Sequence, residues 1–343
     1  PFSPGLGRSG RPTRPPGPRR ASHPSAMSVV GKPPCASYAI TLVVVLLILL
    51  SAIISFALQI LAALLTWPLL LCSNGRDRFH HIQSQIWRGV VSILSVGLNP
   101  FWCQKTHWVG SAVGPPDIVP GSIIFCNHRS NADPFMVSWL LLMGCIEARF
   151  IYKSSLGKLP ILGWNCVLAG DLPVHFGDKQ RIAKMLDRAR EVLEQGYHVV
   201  VFPEGTRSPS GLLQEFKPSF FQICAELGCP AVPACVTGTE RAWPHGGFRM
   251  GCATVHLAIG EAVMPGRGGA ELLSSQIASK MQEMAREVLL EREDDVDGVD
   301  DPFVSGRPYS YWQPPKEIEG LLPEEQMKLL RSGKAHERGA HLF

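Results

Sequence analysis

Residues 123–135, with the sequence IIFCNHRSNADPF, contain the change of pattern that decides the fold. The apolar run SIIFC at 122–126 has the length and composition of a buried strand. Polar residues including His128 and Asp133 follow, and the apolar run from Pro134 onward predicts a helix. Because Asp followed by Pro is favoured where a helix begins, we expect Asp133 at the N-cap and Pro134 at the first helical position.

The same alternation of strand and helix continues along the chain. Short runs rich in β-branched and aromatic residues predict further strands, and longer amphipathic or apolar stretches predict helices. The predicted strands are 148–152, 197–202, 231–236 and 253–259, and the predicted helices are 134–143, 178–196, 220–227 and about 270–292. Strands that alternate with helices indicate an α/β fold, with a mostly parallel sheet and flanking helices.

An uncharged segment, residues 38–71, precedes this domain. Its few polar side chains belong to Thr41, Ser51, Ser55, Gln59 and Thr66. A helix needs roughly 20 apolar residues to cross a bilayer, and this segment is longer. It therefore predicts a hydrophobic membrane helix that spans at a tilt, or a pair of shorter helices that turn near 51–55 and lie in one leaflet. Trp67, near its end, suits an interfacial anchor.

Composition divides the chain into five parts. Residues 1–37 are rich in Pro, Gly and Arg and lack acidic residues, which predicts a disordered basic segment. The membrane segment is followed by 72–110, for which amphipathic or membrane-contacting helices are predicted. The α/β domain covers 111–291, and the acidic run that opens 292–343 predicts a mobile linker and tail. Because Met27 is the first methionine, we take as a hypothesis that the native chain starts there.

Charge and cysteine content argue against several classes of function. The net charge is +4, and six positive charges precede the apolar segment, which leaves the remainder near −2. This balance does not favour a nucleic-acid partner. The ten cysteines include no C-x-x-C pair and most lie in apolar surroundings, so we expect reduced thiols in a domain that faces the cytosol. The histidines show no ligand spacing with cysteines or acidic residues, so we expect no metal.

His128 and Asp133 are the candidate catalytic pair. His128 lies just past the carboxyl end of a predicted buried strand, where open α/β sheets bind their ligands. A neutral imidazole accepts a proton from an alcohol near pH 7, and a neighbouring carboxylate fixes its tautomer and stabilises the imidazolium. The spacing H-x-x-x-x-D alone is a weak signal, so a cap at the helix start stays open as the role of Asp133. Both roles are compatible if each carboxylate oxygen takes one of them.

A second polar stretch, VVVFPEGTRSPSG, follows another predicted strand. Glycine lets a backbone approach a ligand closely, Thr and Ser offer hydroxyl groups, and the arginine fork suits a phosphate. The alternative is an ordinary turn in which Glu204 and Arg207 form an ion pair at the edge of the sheet. The candidate substrate-binding residues are Glu204, Gly205, Thr206, Arg207 and, just before the next helix, Lys217.

The motifs NHRSNAD and FPEGTRS, followed by FK and VPACV in the same order, resemble the glycerolipid acyltransferase family. This family comprises the lysophosphatidic acid acyltransferases and their glycerol-3-phosphate and lysophospholipid relatives, and the resemblance covers about residues 104–290. It implies that 111–291 is an acyltransferase domain of a membrane-bound enzyme, with acyl-CoA as co-substrate and no cofactor. It also implies a lysophospholipid acceptor, lysophosphatidic acid first of all, and an endoplasmic reticulum membrane with the domain facing the cytosol.

By this resemblance, His128 is the general base on the acceptor hydroxyl, Asp133 is its orienting partner, and the EGTR motif holds the phosphate and glycerol. The family's second motif ends in an arginine thought to bind phosphate, but Phe176 stands at that position here. Lys179 or Arg181 could substitute for it, or the acceptor could be glycerol-3-phosphate or another lysophospholipid. Two rival hypotheses are a CoA-independent transacylase and a lipid-binding protein without activity.

Overall fold

The computed structural model describes residues 38–72, 75–110 and 118–290. The predictions of a disordered segment at 1–37 and of a mobile tail at 292–343, together with the hypothesis about Met27, lie outside the described residues.

Within the described residues, the strands form one seven-stranded sheet in the order β1-β7-β6-β2-β5-β3-β4. Every neighbouring pair is parallel except β6 and β7. This confirms the prediction of a mostly parallel sheet. The strands are β1 Trp102–Trp108, β2 Ile123–Cys126, β3 Ala148–Lys153, β4 Leu172–Val174, β5 His198–Val201, β6 Ala231–Thr237 and β7 Ala253–Ile259.

Helices cover both faces of the sheet. The α-helices are α1 Tyr38–Thr66, α2 Gly75–Ser92, α3 Asp133–Met143, α4 Leu162–Leu168, α5 Lys179–Glu194, α6 Ser219–Leu227, α7 Thr239–Ala242 and α8 Gly269–Leu290. In β2, Ile124 and Cys126 pack on the face that α3 covers, while Ile123 and Phe125 pack on the face covered by α5, α6 and α8. This two-sided burial explains why β2 is an uninterrupted apolar run, as parallel strands between two layers of helices are.

The apolar segment forms one continuous helix, α1, followed by a short 3₁₀ turn at Trp67–Leu71. The alternative of two helices that turn near 51–55 is therefore wrong. The Ser51 hydroxyl donates a hydrogen bond to the carbonyl of Ile48 inside the same helix, so this serine does not break it.

The helical prediction for 72–110 is correct for its first part and wrong for its end. Helix α2 and a π-helical turn, Ile93–Gly97, occupy the first part. The stretch WCQKTHW then forms β1, an edge strand that pairs in parallel with β7. Only Trp102 of this strand is fully buried, so its sequence lacks the apolar run that identified the central strands. The short elements α4 and β4 were not predicted either.

Candidate active site

The structure brings His128 and Asp133 together at the carboxyl end of β2. Nδ1 of His128 lies 2.7 Å from Oδ2 of Asp133, whose side chain is completely buried. The His128 ring stacks on Phe202, with 4.3 Å between the ring centroids. Because an ionised carboxylate can only accept hydrogen bonds, Nδ1 carries the proton and Nε2 has the free lone pair. The His128 side chain is 19% exposed, so the ring is not sealed inside the protein.

The position of Asp133 differs from the expected N-cap. The N-cap residue is Ala132, and Asp133 is the first residue of α3. Its Oδ2 accepts from the backbone N–H of Arg129 at 2.6 Å and of Ser130 at 2.8 Å, in addition to His128. The carboxylate therefore faces back into the preceding loop, and the prediction that it caps the helix is wrong. One oxygen, rather than two, holds the loop and orients the histidine.

Neighbouring polar side chains fix the same loop to the rest of the domain. Asn127 continues the sheet with its side chain, because its amide donates to the Val236 carbonyl and accepts from the Val236 N–H, each at 2.8 Å. The Ser130 hydroxyl donates to the carbonyl of Trp243 at 2.7 Å. Sequence reasoning had given these two residues no role, although a run of polar side chains directly after a buried strand is a signal for such bonds.

Glu204 joins the two candidate motifs. It is buried, and its Oε1 accepts from the backbone N–H of His128 at 2.7 Å while its Oε2 accepts from that of Gln214 at 3.1 Å. Burial raises the pKa of Glu204 to about 8, against the lowering effect of these hydrogen bonds. Both oxygens are used inside the protein, so Glu204 positions the loops. The alternative ion pair between Glu204 and Arg207 does not form.

Around Glu204, the motif presents a left-handed turn and two cations. Gly205 has φ of +74°, a conformation that favours glycine. A Cβ at this position would lie 3.5 Å from Cε of Lys217, so the exposed lysine side chain runs alongside the turn. Thr206 is exposed, and Arg207 is half-buried, with its pKa lowered by desolvation and raised in part by the charge of Asp133.

The amide of Ser208 donates to the carbonyl of His128 at 2.7 Å, which places the EGTR turn beside the histidine. Arg207 makes no hydrogen bond or ion pair with any residue that the structure describes. Its guanidinium therefore stays available for an anionic ligand near His128.

A third cation, Lys153, lies at the same edge of the sheet and was missed by the sequence analysis. It is the last residue of β3, the neighbour of β5, and its side chain is exposed. A lysine directly after the apolar run ARFIY was the available signal. Of the predicted substitutes for the absent arginine, Arg181 is bound to Asp178 at 3.2 Å at the start of α5, whereas Lys179 is exposed.

The surroundings of Cys126 do not suit a nucleophile. Its side chain is completely buried, and burial raises the pKa of the thiol well above its usual value. Among the residues that the structure describes, no group of three or more His, Cys, Asp or Glu side chains could hold a metal ion. His128, rather than Cys126, is therefore the candidate reactive side chain after β2.

Comparison with known proteins agrees with this arrangement. Residues 116–237 match the family model described as Acyltransferase, and this range includes both motifs. The 1-acyl-sn-glycerol-3-phosphate acyltransferase BAT2, chloroplastic, of Brassica napus is 32% identical over 177 residues, which are 52% of this chain and 48% of the relative. The corresponding LPAT1, chloroplastic, of Arabidopsis thaliana is also 32% identical, over 52% of this chain and 46% of the relative.

The chain thus spans about half the length of these curated relatives. Among solved structures, the 1-acyl-sn-glycerophosphate (LPA) acyltransferase PlsC from Thermotoga maritima has a TM-score of 0.48 and 23% identity, covering 71% of this chain and 97% of that one. The family match places residues 116–237 among acyltransferase domains. The relatives that the chain matches over about half of their length are named 1-acyl-sn-glycerol-3-phosphate acyltransferases.

Proposed function

We propose that the protein is a membrane-bound enzyme that moves a fatty acyl group from acyl-CoA to the free hydroxyl of lysophosphatidic acid, giving phosphatidic acid. The observation that carries this proposal is the His128–Asp133 hydrogen bond of 2.7 Å, which leaves Nε2 basic, on a loop that is bonded to the turn carrying Arg207. A base next to a phosphate-binding cation suits an acceptor that carries both a hydroxyl and a phosphate. The names of the relatives support the same acceptor.

In the proposed reaction, Nε2 of His128 takes the proton of the acceptor hydroxyl while that oxygen attacks the thioester carbonyl. The new C–O bond forms, the C–S bond breaks, and the imidazolium returns its proton to the departing CoA thiolate. Asp133 stabilises the imidazolium between these steps, and general base catalysis of this kind contributes about 10²–10⁴-fold. The thioester is already activated, so no acyl-enzyme is needed, which agrees with the burial of Cys126.

The phosphate of the acceptor would bind at the edge formed by Arg207, Lys217 and Lys153. Arg207 offers a planar fork, and the two lysines are exposed cations on neighbouring elements. Gly205 and Thr206 would contact the glycerol, while Glu204 supports the turn from inside. The proposal requires acyl-CoA as co-substrate and includes neither a cofactor nor a metal.

A second acceptor is favoured by one observation. Phe176, at the position where the family carries an arginine, is 60% exposed at this same edge and contributes no charge. Glycerol-3-phosphate or another lysophospholipid is therefore the second candidate acceptor. A CoA-independent transacylase is distinguished by activity that persists without acyl-CoA.

We also propose how the chain is divided into functional segments and in which cell membrane the protein resides. Residues 38–71 anchor the protein, 72–110 contact the membrane in part, and 111–291 form the catalytic domain on the cytosolic side of the endoplasmic reticulum. One helix of the described chain, with its 3₁₀ extension, is long and apolar enough to cross a membrane, which supports the anchor. Imaging of the tagged full-length chain against reticulum and plastid markers tests the compartment, because the named plant relatives are chloroplastic.

The test is an assay of the full chain in lipid nanodiscs with labelled acyl-CoA and a panel of acceptors. We expect phosphatidic acid from lysophosphatidic acid, and less than about 1% of this rate for His128→Ala, the lower end of a general-base contribution. The matched control is His81→Gln, which should keep its activity. The His81 side chain is 42% exposed and contacts Glu147, which lies just before the start of β3 and so at the opposite edge of the sheet from His128. An active His128→Ala enzyme, or a panel in which no acceptor reacts, would contradict the proposal.

A further inference from the structure

Two cysteines lie side by side at the carboxyl end of α6. Cys224 belongs to the last turns of this helix, and Cys229 is the second residue after it. Between them, Gly228 has φ of +65°, the left-handed conformation in which many helices end. The chain folds back there, and at such ends the residue after the glycine commonly contacts the residue five positions earlier. In α6 these two positions are Cys229 and Cys224.

The side-chain contacts agree with this arrangement. Both cysteines belong to the apolar cluster on the face of the sheet that α5, α6 and α8 cover, where Cys224 is completely buried and Cys229 is partly buried. A hydrogen bond joins the two thiols. Because the Cys224 S–H donates to the Cys229 sulfur, this bond raises the pKa of Cys224 and lowers the pKa of Cys229. Cys229 is thus both the more acidic thiol and the one that solvent reaches, which are the two properties of a reactive cysteine.

We propose that Cys224 and Cys229 form a reversible oxidation site, at which hydrogen peroxide converts the two thiols into one disulfide. The Cys229 thiolate attacks one oxygen of the peroxide, the O–O bond breaks, and the departing hydroxide takes up the proton that the thiol had released and leaves as water. The product is a sulfenic acid on Cys229. The Cys224 sulfur then attacks the sulfenic sulfur, the S–O bond breaks, and the Cys224 proton leaves with the hydroxide as a second water. The two thiols together lose two electrons, and the peroxide gains them.

The oxidation site lies at the opposite edge of the sheet from His128. The carbonyl of Pro230, the residue after Cys229, accepts a hydrogen bond of 2.9 Å from the N–H of Ile123 at the start of β2. His128 comes after the other end of that strand, Cys126. At about 3.3 Å per residue, the strand alone separates its two ends by about 10 Å. Disulfide formation should therefore leave the catalytic loop in place.

The disulfide protects the chain in two ways. A sulfenic acid that a neighbouring thiol converts into a disulfide is not oxidised further to a sulfinic acid, a step that is irreversible in most proteins. The bond also fastens the end of α6 to the segment that enters β6, and such a cross-link stabilises mainly by restricting the unfolded chain. Helix α6 packs on β2, where the rings of Phe221 and Phe125 stack at 4.1 Å between centroids. This role goes beyond acyl transfer and does not depend on which acceptor reacts.

The test uses a glutamyl endopeptidase, because Glu226 lies between the two cysteines. The full chain in detergent micelles is reduced, treated with hydrogen peroxide, denatured in the presence of an alkylating agent and digested without reductant. Cleavage after Glu215, Glu226 and Glu240 gives the fragments 216–226 and 227–240. We expect mass spectrometry to find these fragments joined after peroxide treatment. Dithiothreitol added before the alkylation should give two separate, alkylated fragments.

Variants identify which cysteine of the second fragment forms the bond. Fragment 227–240 also contains Cys235, which is buried in β6. The matched control Cys235→Ala should still give joined fragments, whereas Cys229→Ala should not. Joined fragments in Cys229→Ala, or separate fragments from the oxidised wild-type chain, would show that the proposal is wrong. The mapping needs no enzyme activity, so a failed acyl-transfer assay does not affect its result.

Two further measurements test the role of the bond. In Cys224→Ala, which lacks the second thiol, peroxide should add two oxygen atoms to Cys229, while the wild-type chain should form the disulfide instead. Equal amounts of sulfinic acid in both proteins would refute the protective role. The oxidised wild-type chain should keep its acyl-transfer rate and should unfold at a higher urea concentration than the reduced chain. A loss of that rate that dithiothreitol reverses, and that Cys229→Ala does not show, would contradict the separation of the oxidation site from His128.

Discussion

Replacing Asp133 by asparagine separates the charge of this residue from its hydrogen bonds. The amide oxygen can take the place of Oδ2 and accept from the backbone N–H groups of Arg129 and Ser130 and from Nδ1–H of His128. The amide NH₂ then takes the place of Oδ1, which has no hydrogen-bond partner within the described residues. The loop geometry is kept, and the negative charge beside the imidazole is lost.

The size of the effect follows from that charge. An imidazolium and a carboxylate about 4 Å apart attract by about 4 kcal/mol at the effective dielectric constant of about 20 that suits protein sites. Each 1.36 kcal/mol is a factor of ten in rate, so kcat of Asp133→Asn should fall about 10³-fold. Stability should change by no more than about 1 kcal/mol, since the backbone donors keep an acceptor.

The comparison variant is Asp133→Ala, which leaves the N–H groups of Arg129 and Ser130 without an acceptor. Each buried unpaired donor costs about 1–3 kcal/mol, so the two together should cost this variant about 2–6 kcal/mol of stability, and its activity should be lost as well. The measurements are kcat with saturating acyl-CoA and lysophosphatidic acid, and urea unfolding followed by fluorescence. A fully active Asp133→Asn enzyme would refute the catalytic assignment, and equal stability losses in both variants would refute the account of the loop.

Three further predictions concern the second motif. Arg207→Met should raise KM for lysophosphatidic acid about 10–100-fold, since a charged hydrogen bond contributes about 1.5–3 kcal/mol. The surface control Arg190→Met should leave KM unchanged. An unchanged KM in Arg207→Met would exclude a contact between Arg207 and the phosphate. Gly205→Ala should lower stability by about 1–3 kcal/mol through its positive φ and should also lower activity. Gly196→Ala, with φ of +86° at the opposite edge of the sheet, should match the stability loss but keep activity. The pKa of Glu204 is raised to about 8 in the folded state, so the free energy of unfolding should fall as the pH rises from about 4.5 to 8. Unfolding curves of Glu204→Gln measured across this range should show a weaker dependence on pH. An unchanged pH dependence would mean that other groups cause it.

The sheet was predictable from the sequence because its central strands are buried on both faces. Two-sided burial requires the uninterrupted apolar runs of β2, β5 and β6, which are visible without knowledge of their neighbours. Strand β1 has neither an apolar run nor a strict alternation, because only one of its edges is paired and most of its side chains are half-exposed. Its assignment depends on β7, which lies far away in the sequence.

The errors at the site and at α1 have a common cause, which is that a side chain's partner is decided by tertiary contacts. Asp133 before a proline fits an N-cap, yet the loop from Arg129 to Ser130 supplies its donors. Ser51 and Ser55 suggested a turn, yet they face Ser95 and Asn165 across a helix interface. Residue type and spacing predicted that these positions matter, and the fold decided what they contact.

The single oxygen shared by His128, Arg129 and Ser130 ties activity to the local folding of the catalytic loop. Any opening of the loop that withdraws the two backbone donors also withdraws the support of the imidazole, since both depend on Oδ2 of Asp133. A partly opened site would therefore be inactive, and it would neither acylate an unintended alcohol nor activate water against a thioester. The turnover rate can then serve as a direct measure of how much of the protein population has this loop closed.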